Sequence, residues 1–224
     1  MPASPFARFR ANAFWRNALC GAALLLPPFW AVGQTYALPD ANAEAYAVDF
    51  AARVAQSADA GGRAFGIIDK PAATLWVFDG RGRPVASTPV LVGQARGDVA
   101  PADIGTRPLA KVRPHEKITS AGRYVTEPGS NTRGEDIVWL DYDAALSMHR
   151  VRNIPGEART QRLLSHTVAD NRISFGCVNI PADFYDRYVD PLFSRSSGVV
   201  YVLPESRSPE SMFNFLHSDA AARR

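Results

Sequence analysis

The sequence predicts a mainly β single domain with flanking helices, and three observations carry that expectation. Short runs rich in Val, Ile, Trp, Tyr and Phe recur through the middle of the chain, separated by Gly, Pro, Asn and Asp. Helical patterning is confined to the two ends and to one stretch after residue 180. No repeat, low-complexity tract or second long apolar segment interrupts the 224 residues, a length that suits one domain with a real core.

Residues 1–37 read as a secretory signal. Arg8, Arg10 and Arg16 form a positive start with no acidic residue, and 18–32 is mostly apolar but broken by Pro27-Pro28. That stretch falls short of the about 20 apolar residues of a comfortable membrane span. Thr35 and Ala37 predict cleavage after Ala37, with an uncleaved anchor as the alternative, so export to the periplasm or cell envelope is expected. All of the formal charge of +3 resides in this segment. The remaining chain is balanced, with no basic cluster interleaved with aromatics, which excludes a nucleic-acid binder.

Residues 38–62 are expected to be helical: Ala-rich, with Asp40 placed to cap and Asp59-Ala60-Gly61-Gly62 closing the segment. Residues 63–204 form the predicted main domain. Strands are expected at 64–69 and 74–79, and Gly80-Arg81-Gly82-Arg83 makes a hairpin turn into 85–92, where Pro89 suggests a sheet edge. Residues 93–118 and 153–171 are polar and read as long surface connections. Between them, Ile137-Val138-Trp139-Leu140-Asp141-Tyr142 is a clear strand, followed after a turn by 144–151. Residues 181–193 read as a helix with Pro181 at its start, 198–203 as a closing strand, and 205–224 as a tail with a helix reaching His217.

Cys177 is the single cysteine outside the signal, an unpaired thiol in a chain read as exported. A free cysteine is often an inert core filler, but here Ser174, Gly176 and Asn179 flank it. A cysteine between a strand and a helix start lies where unpaired main-chain N–H groups converge; these lower a thiol pKa and bind a developing oxyanion. A thiolate catalyst needs a base, ordinarily His. His115 and His217 fall in polar surface segments. His149 lies near a strand end on the same face as Ser147, opposite Leu146 and Met148, and a rigid element favours it over His166 in the loop Ser165-His166-Thr167. A lone Cys with scattered His offers no zinc-ligand pattern, so no metal and no cofactor are expected.

These residues bear a family likeness. Ser174-Phe175-Gly176-Cys177-Val178-Asn179 resembles the Ser-His-Gly-Cys-hydrophobic-Asn/Arg signature of the L,D-transpeptidases, whose catalytic domain is the YkuD type. Residues 117–124 resemble that family's Thr-Pro-x-Gly-x-Phe segment, 75–93 its opening hairpin, and Met148-His149 its strand-borne histidine. The likeness runs in order over about 64–203. Phe175 stands where the family has His, Ser120 where it has Pro, and Arg150 where Gly is common. The 28 positions from His149 to Cys177 imply an inserted loop.

The resemblance implies a YkuD-like β-sandwich or barrel and peptidoglycan stem peptides as substrate. Cys177 would attack the carbonyl at the L-centre of diaminopimelate, His149 would take the thiol proton, and D-alanine would leave. The N–H groups of Gly176 and Cys177 would hold the oxyanion. An amine from a second stem would resolve the thioester; water would make the protein an L,D-carboxypeptidase. Arg172, Ser174 and Asn179 are candidate substrate contacts, the first for a carboxylate or equally a plain surface ion-pair partner, the other two alternatively ordering the turn. The competing classes are a catalytically weakened wall-binding protein and a thiol redox protein, the latter disfavoured by the lack of a second cysteine.

Overall fold

The computed structural model describes residues 41–217. The expected signal segment and its cleavage point lie outside them. Among the described residues no helix is long and apolar enough to cross a membrane.

Sheets dominate, as predicted. Strands β1 (Phe65–Asp69), β2 (Thr74–Phe78) and β3 (Pro84–Pro89) form an antiparallel meander. Pairing with β11 (Val199–Val202) and β5 (Gly122–Val125) completes a five-stranded sheet of order β3-β2-β1-β11-β5. Pro89 thus lies on an edge strand, where its missing N–H costs no ladder bond. A second sheet, β10-β8-β7-β6, joins β6 (Glu127–Ser130), β7 (Asp136–Asp141), β8 (Leu146–Arg150) and β10 (Val178–Ile180). Short β4 (Val92–Gly93) and β9 (Arg172–Ser174) form a third, parallel pair.

Side-chain alternation divides the five-stranded sheet between two cores. Ile68, Leu75, Val77, Val200 and Val202 point to one, which they share with Val138, Leu146, Met148, Val178 and Ile180 of the second sheet. Phe65, Ile67, Trp76, Phe78, Val199 and Tyr201 point the other way, where α1 (Ala41–Gln56) covers them with Ala47, Phe50, Ala51 and Val54. Phe213 and Leu216 of the tail close this second core. Burial on both faces explains why β1, β2 and β11 are continuous apolar runs rather than half-polar strands.

Several elements differ from the sequence expectation. The edge strands β5 and β6 carry Gly122, Arg123, Glu127, Pro128 and Gly129 and are half or wholly exposed, so they lack an apolar signature. The stretch 153–171 is not all loop: it holds α2 (Arg159–Leu163) and a 3-10 turn at Val168–Asn171. The 181–193 helix starts as α3 (Ala182–Phe184), then widens to π-type winding over Tyr185–Ser194, with Pro191 inside. A proline there has no N–H to give a regular α ladder. The tail is not one helix but two 3-10 turns, Pro209–Ser211 and Asn214–Leu216, anchored by Phe213 and Leu216.

Phe50 packs edge-on against Tyr201, Phe213 and Phe215 and is 1% exposed. Phe50→Ala is expected to cost about 3–5 kcal/mol in chemical denaturation, since the cavity opens in a core with no slack.

Candidate active site

The turn that carries Cys177 joins β9 to β10. Cys177 therefore precedes a strand, not a helix start as the sequence suggested; the helix begins only at Ala182. β10 pairs in parallel with β8, Val178 against Met148 and Asn179 against His149. One step back along both strands, Cys177 faces Ser147. The register thus brings Cys177, Ser147 and His149 together across two neighbouring strands, while Met148 and Val178 sink into the core below.

The sulfur is half-buried, and three groups bear on it. The thiol donates to the Ala145 carbonyl at 3.2 Å, and the Ser147 hydroxyl donates to Sγ at 3.4 Å. Ala145 holds a left-handed φ of 49°, which shapes the turn that presents this carbonyl. The third influence is the His149 ring, which favours the charged form of the thiol. Burial by itself would push the thiol pKa up. His149, and after it the hydroxyl and main-chain N–H of Ser147, outweigh it and hold the thiol below its ordinary value.

His149 is oriented from behind. Its Nδ1 lies 2.8 Å from the Arg150 carbonyl oxygen. A carbonyl only accepts, so Nδ1 carries a proton, and in the neutral ring the lone pair falls on Nε2. Arg150 is itself fixed by Asp136 and Asp186 and lies over the Tyr185 ring at 4.3 Å. Beside His149 opens a cleft of about 280 Å³, lined by Glu135, Asp136, Arg150, Arg152 and Ala182 among others. His166 and His115 are exposed on their loops and His217 on the tail.

The remaining predicted residues build the turn instead of facing the cleft. Ser174 is 2% exposed, and its hydroxyl accepts the Gly176 N–H at 3.1 Å. That bond corrects the expectation that the Gly176 N–H serves an oxyanion. Asn179 is fully buried; its Nδ2 donates to the Cys177 carbonyl at 3.2 Å and its Oδ1 accepts from Arg159 at 2.7 Å. Arg159 lies on α2, so the 153–171 segment braces the strand that follows Cys177. Neither Ser174 nor Asn179 is free to bind substrate; both order the turn.

Arg172 is likewise corrected. Its guanidinium, 8% exposed, is held by Glu205 at 2.5 Å and donates to the Lys70 carbonyl at 3.2 Å. It belongs to a buried charge cluster in which Lys70 donates to Asp98 at 2.9 Å. Burial opposes the ionisation of Asp98, but bonds from Ser206, the Glu205 N–H and Lys70 hold its carboxyl well below the usual range.

Gly176 has φ +140°, and a Cβ there would stand 2.8 Å from the Ile118 carbonyl oxygen, so only glycine fits. Sequence reasoning assigned no role to Thr119, Arg159 or the Arg150 carbonyl. Ser147 was legible from strand alternation; a main-chain carbonyl has no residue signal. Among the described residues, no group of three or more His, Cys, Asp or Glu is placed to hold a metal ion.

No family model matches the chain, and no curated protein matches it. Solved structures to which it is similar include an L,D-transpeptidase from Mycobacterium smegmatis, at 17% identity and TM-score 0.38, covering 62% of this chain and 58% of that one. A second is an L,D-transpeptidase from Stackebrandtia nassauensis, at 16% identity and TM-score 0.38, covering 64% and 56%. A third is the helical cell shape determining protein Pgp2 from Campylobacter jejuni, at 13% identity and TM-score 0.41, covering 72% and 56%. The chain thus spans less than two thirds of the length of each.

His149→Ala is expected to move the pH profile of Cys177 alkylation upward. The folded thiol ionises below its ordinary value, and removing the ring leaves burial, which raises it. His166→Ala is expected to leave the profile in place.

Proposed function

We propose that the protein is a cysteine acyltransferase of the L,D-transpeptidase type, acting on peptidoglycan stem peptides. One observation carries the reading: a half-buried thiol of lowered pKa beside an imidazole whose Nδ1–H is spent on a main-chain carbonyl. A buried structural cysteine needs no oriented base. The resemblance of 174–179 and 117–124 to the family's two motifs supplies the substrate class.

In this reading His149 Nε2 takes the thiol proton and the sulfur attacks the carbonyl at the L-centre of diaminopimelate. The tetrahedral intermediate collapses, the C–N bond breaks, and D-alanine leaves with the proton from His149. An amine of a second stem then attacks the thioester and releases Cys177, forming the cross-link. Water in place of that amine gives L,D-carboxypeptidase activity. Export to the periplasm or cell envelope belongs to the same proposal, because that is where the substrate is.

A second reading, a catalytically weakened wall-binding protein, is favoured by the closure of the Gly176 N–H on Ser174, which leaves fewer main-chain donors for an oxyanion. Intact-mass measurement after mixing with a tetrapeptide stem separates the two. The acyltransferase predicts an adduct on Cys177 equal to the stem less D-alanine, absent in Cys177→Ala. Peptidoglycan binding with no adduct and no turnover contradicts it.

A further inference from the structure

The turn that carries Cys177 is held from a side that the chemistry above does not use. Thr119 is 1% exposed, and its hydroxyl makes two bonds: it donates to the Gly176 carbonyl at 2.6 Å and accepts the Gly93 N–H at 2.8 Å. The second bond directs the hydroxyl proton toward Gly176. Thr119 itself is fixed, since its carbonyl accepts from buried Lys70 at 3.0 Å. The close approach needs Gly93, where a Cβ would stand 2.6 Å from the Thr119 nitrogen.

The Gly176 carbonyl and the Cys177 N–H belong to one planar trans peptide and point in opposite directions. Pinning the carbonyl on Thr119 therefore aims the Cys177 N–H away from the buried side. No hydrogen bond of the described residues engages that N–H, whereas the Gly176 N–H is taken by Ser174.

We propose that Thr119 is a positioning residue whose grip on the Gly176 carbonyl aims the Cys177 N–H, and that this donor, without the Gly176 N–H, holds the oxyanion. The inference rests on the acyltransferase reading and adds to it the residue that aims its oxyanion donor. It predicts a split between two reactions of the same sulfur. Acylation by imipenem forms an S–C bond at the lactam carbonyl and sends an electron pair onto oxygen. The C–N bond then breaks, and the nitrogen takes the thiol's proton by way of His149. Alkylation by iodoacetamide forms an S–C bond and expels iodide, and no oxygen gains charge.

The test compares both rates in the full chain, in Thr119→Val and in Thr119→Ser. In Thr119→Val, acylation is expected to fall about 10²-fold, the usual cost of a lost or misaimed oxyanion donor. Its alkylation rate and pH profile should stay those of the wild type, and Thr119→Ser should restore acylation. If the valine variant does not fold, Thr119→Ala carries the same comparison. Acylation unchanged in the variant overturns the positioning role alone, and so do acylation and alkylation falling together. A wild-type protein that is alkylated but never acylated overturns the acyltransferase reading as well.

Discussion

Everything at the site depends on one hydrogen bond, from His149 Nδ1 to the Arg150 carbonyl. Without it the ring could turn, or present Nε2–H to the sulfur and serve as a donor rather than a base. With it Nδ1 is the protonated nitrogen, and in the neutral ring the lone pair is left on Nε2. The bond is made within two consecutive residues of β8, so strand geometry supplies it. Asp136, Asp186 and Tyr185 in turn hold the Arg150 side chain and with it the end of the strand.

A layered scaffold keeps this arrangement rigid. The parallel pairing of β10 with β8 sets Cys177 against Ser147 and His149, and the core beneath that pair is the one between the two sheets. The outer face of the five-stranded sheet is sealed separately by α1 and the tail. The buried cluster of Lys70, Asp98, Arg172 and Glu205 ties the end of β1 to the loop after β4 and to the tail. Burying ions is costly unless they are paired. Here they also hold backbone: Lys70 binds the carbonyls of Gly97 and Thr119, and Arg172 those of Lys70 and Ala95. The charges thus secure the loop from which Thr119 reaches the turn that carries Cys177.

The legible parts of this molecule were those whose signal is local. β1, β2, β7 and β11 announce themselves through apolar runs, and β8 through the alternation that puts Ser147 and His149 on one face. Edge strands β5 and β6 were hidden because half-exposed positions tolerate Arg, Glu, Pro and Gly. The π-wound segment and the broken tail were hidden because an amphipathic pattern does not report the hydrogen-bond period. At the site, residue type misled where burial decides. Arg172, Ser174 and Asn179 have the chemistry of substrate contacts, yet distant partners claim Arg172 and Asn179 (Glu205 and Arg159), and the nearby Gly176 N–H claims Ser174.

The most direct measurement of the central claim is the tautomer of His149, read from long-range ¹H–¹⁵N correlations of the ring in Cys177→Ala, where no thiol perturbs it. At alkaline pH the neutral ring is predicted to carry its proton on Nδ1, with Nε2 unprotonated. A ring protonated on Nε2 would show that the Arg150 carbonyl does not hold the base, and would contradict the account.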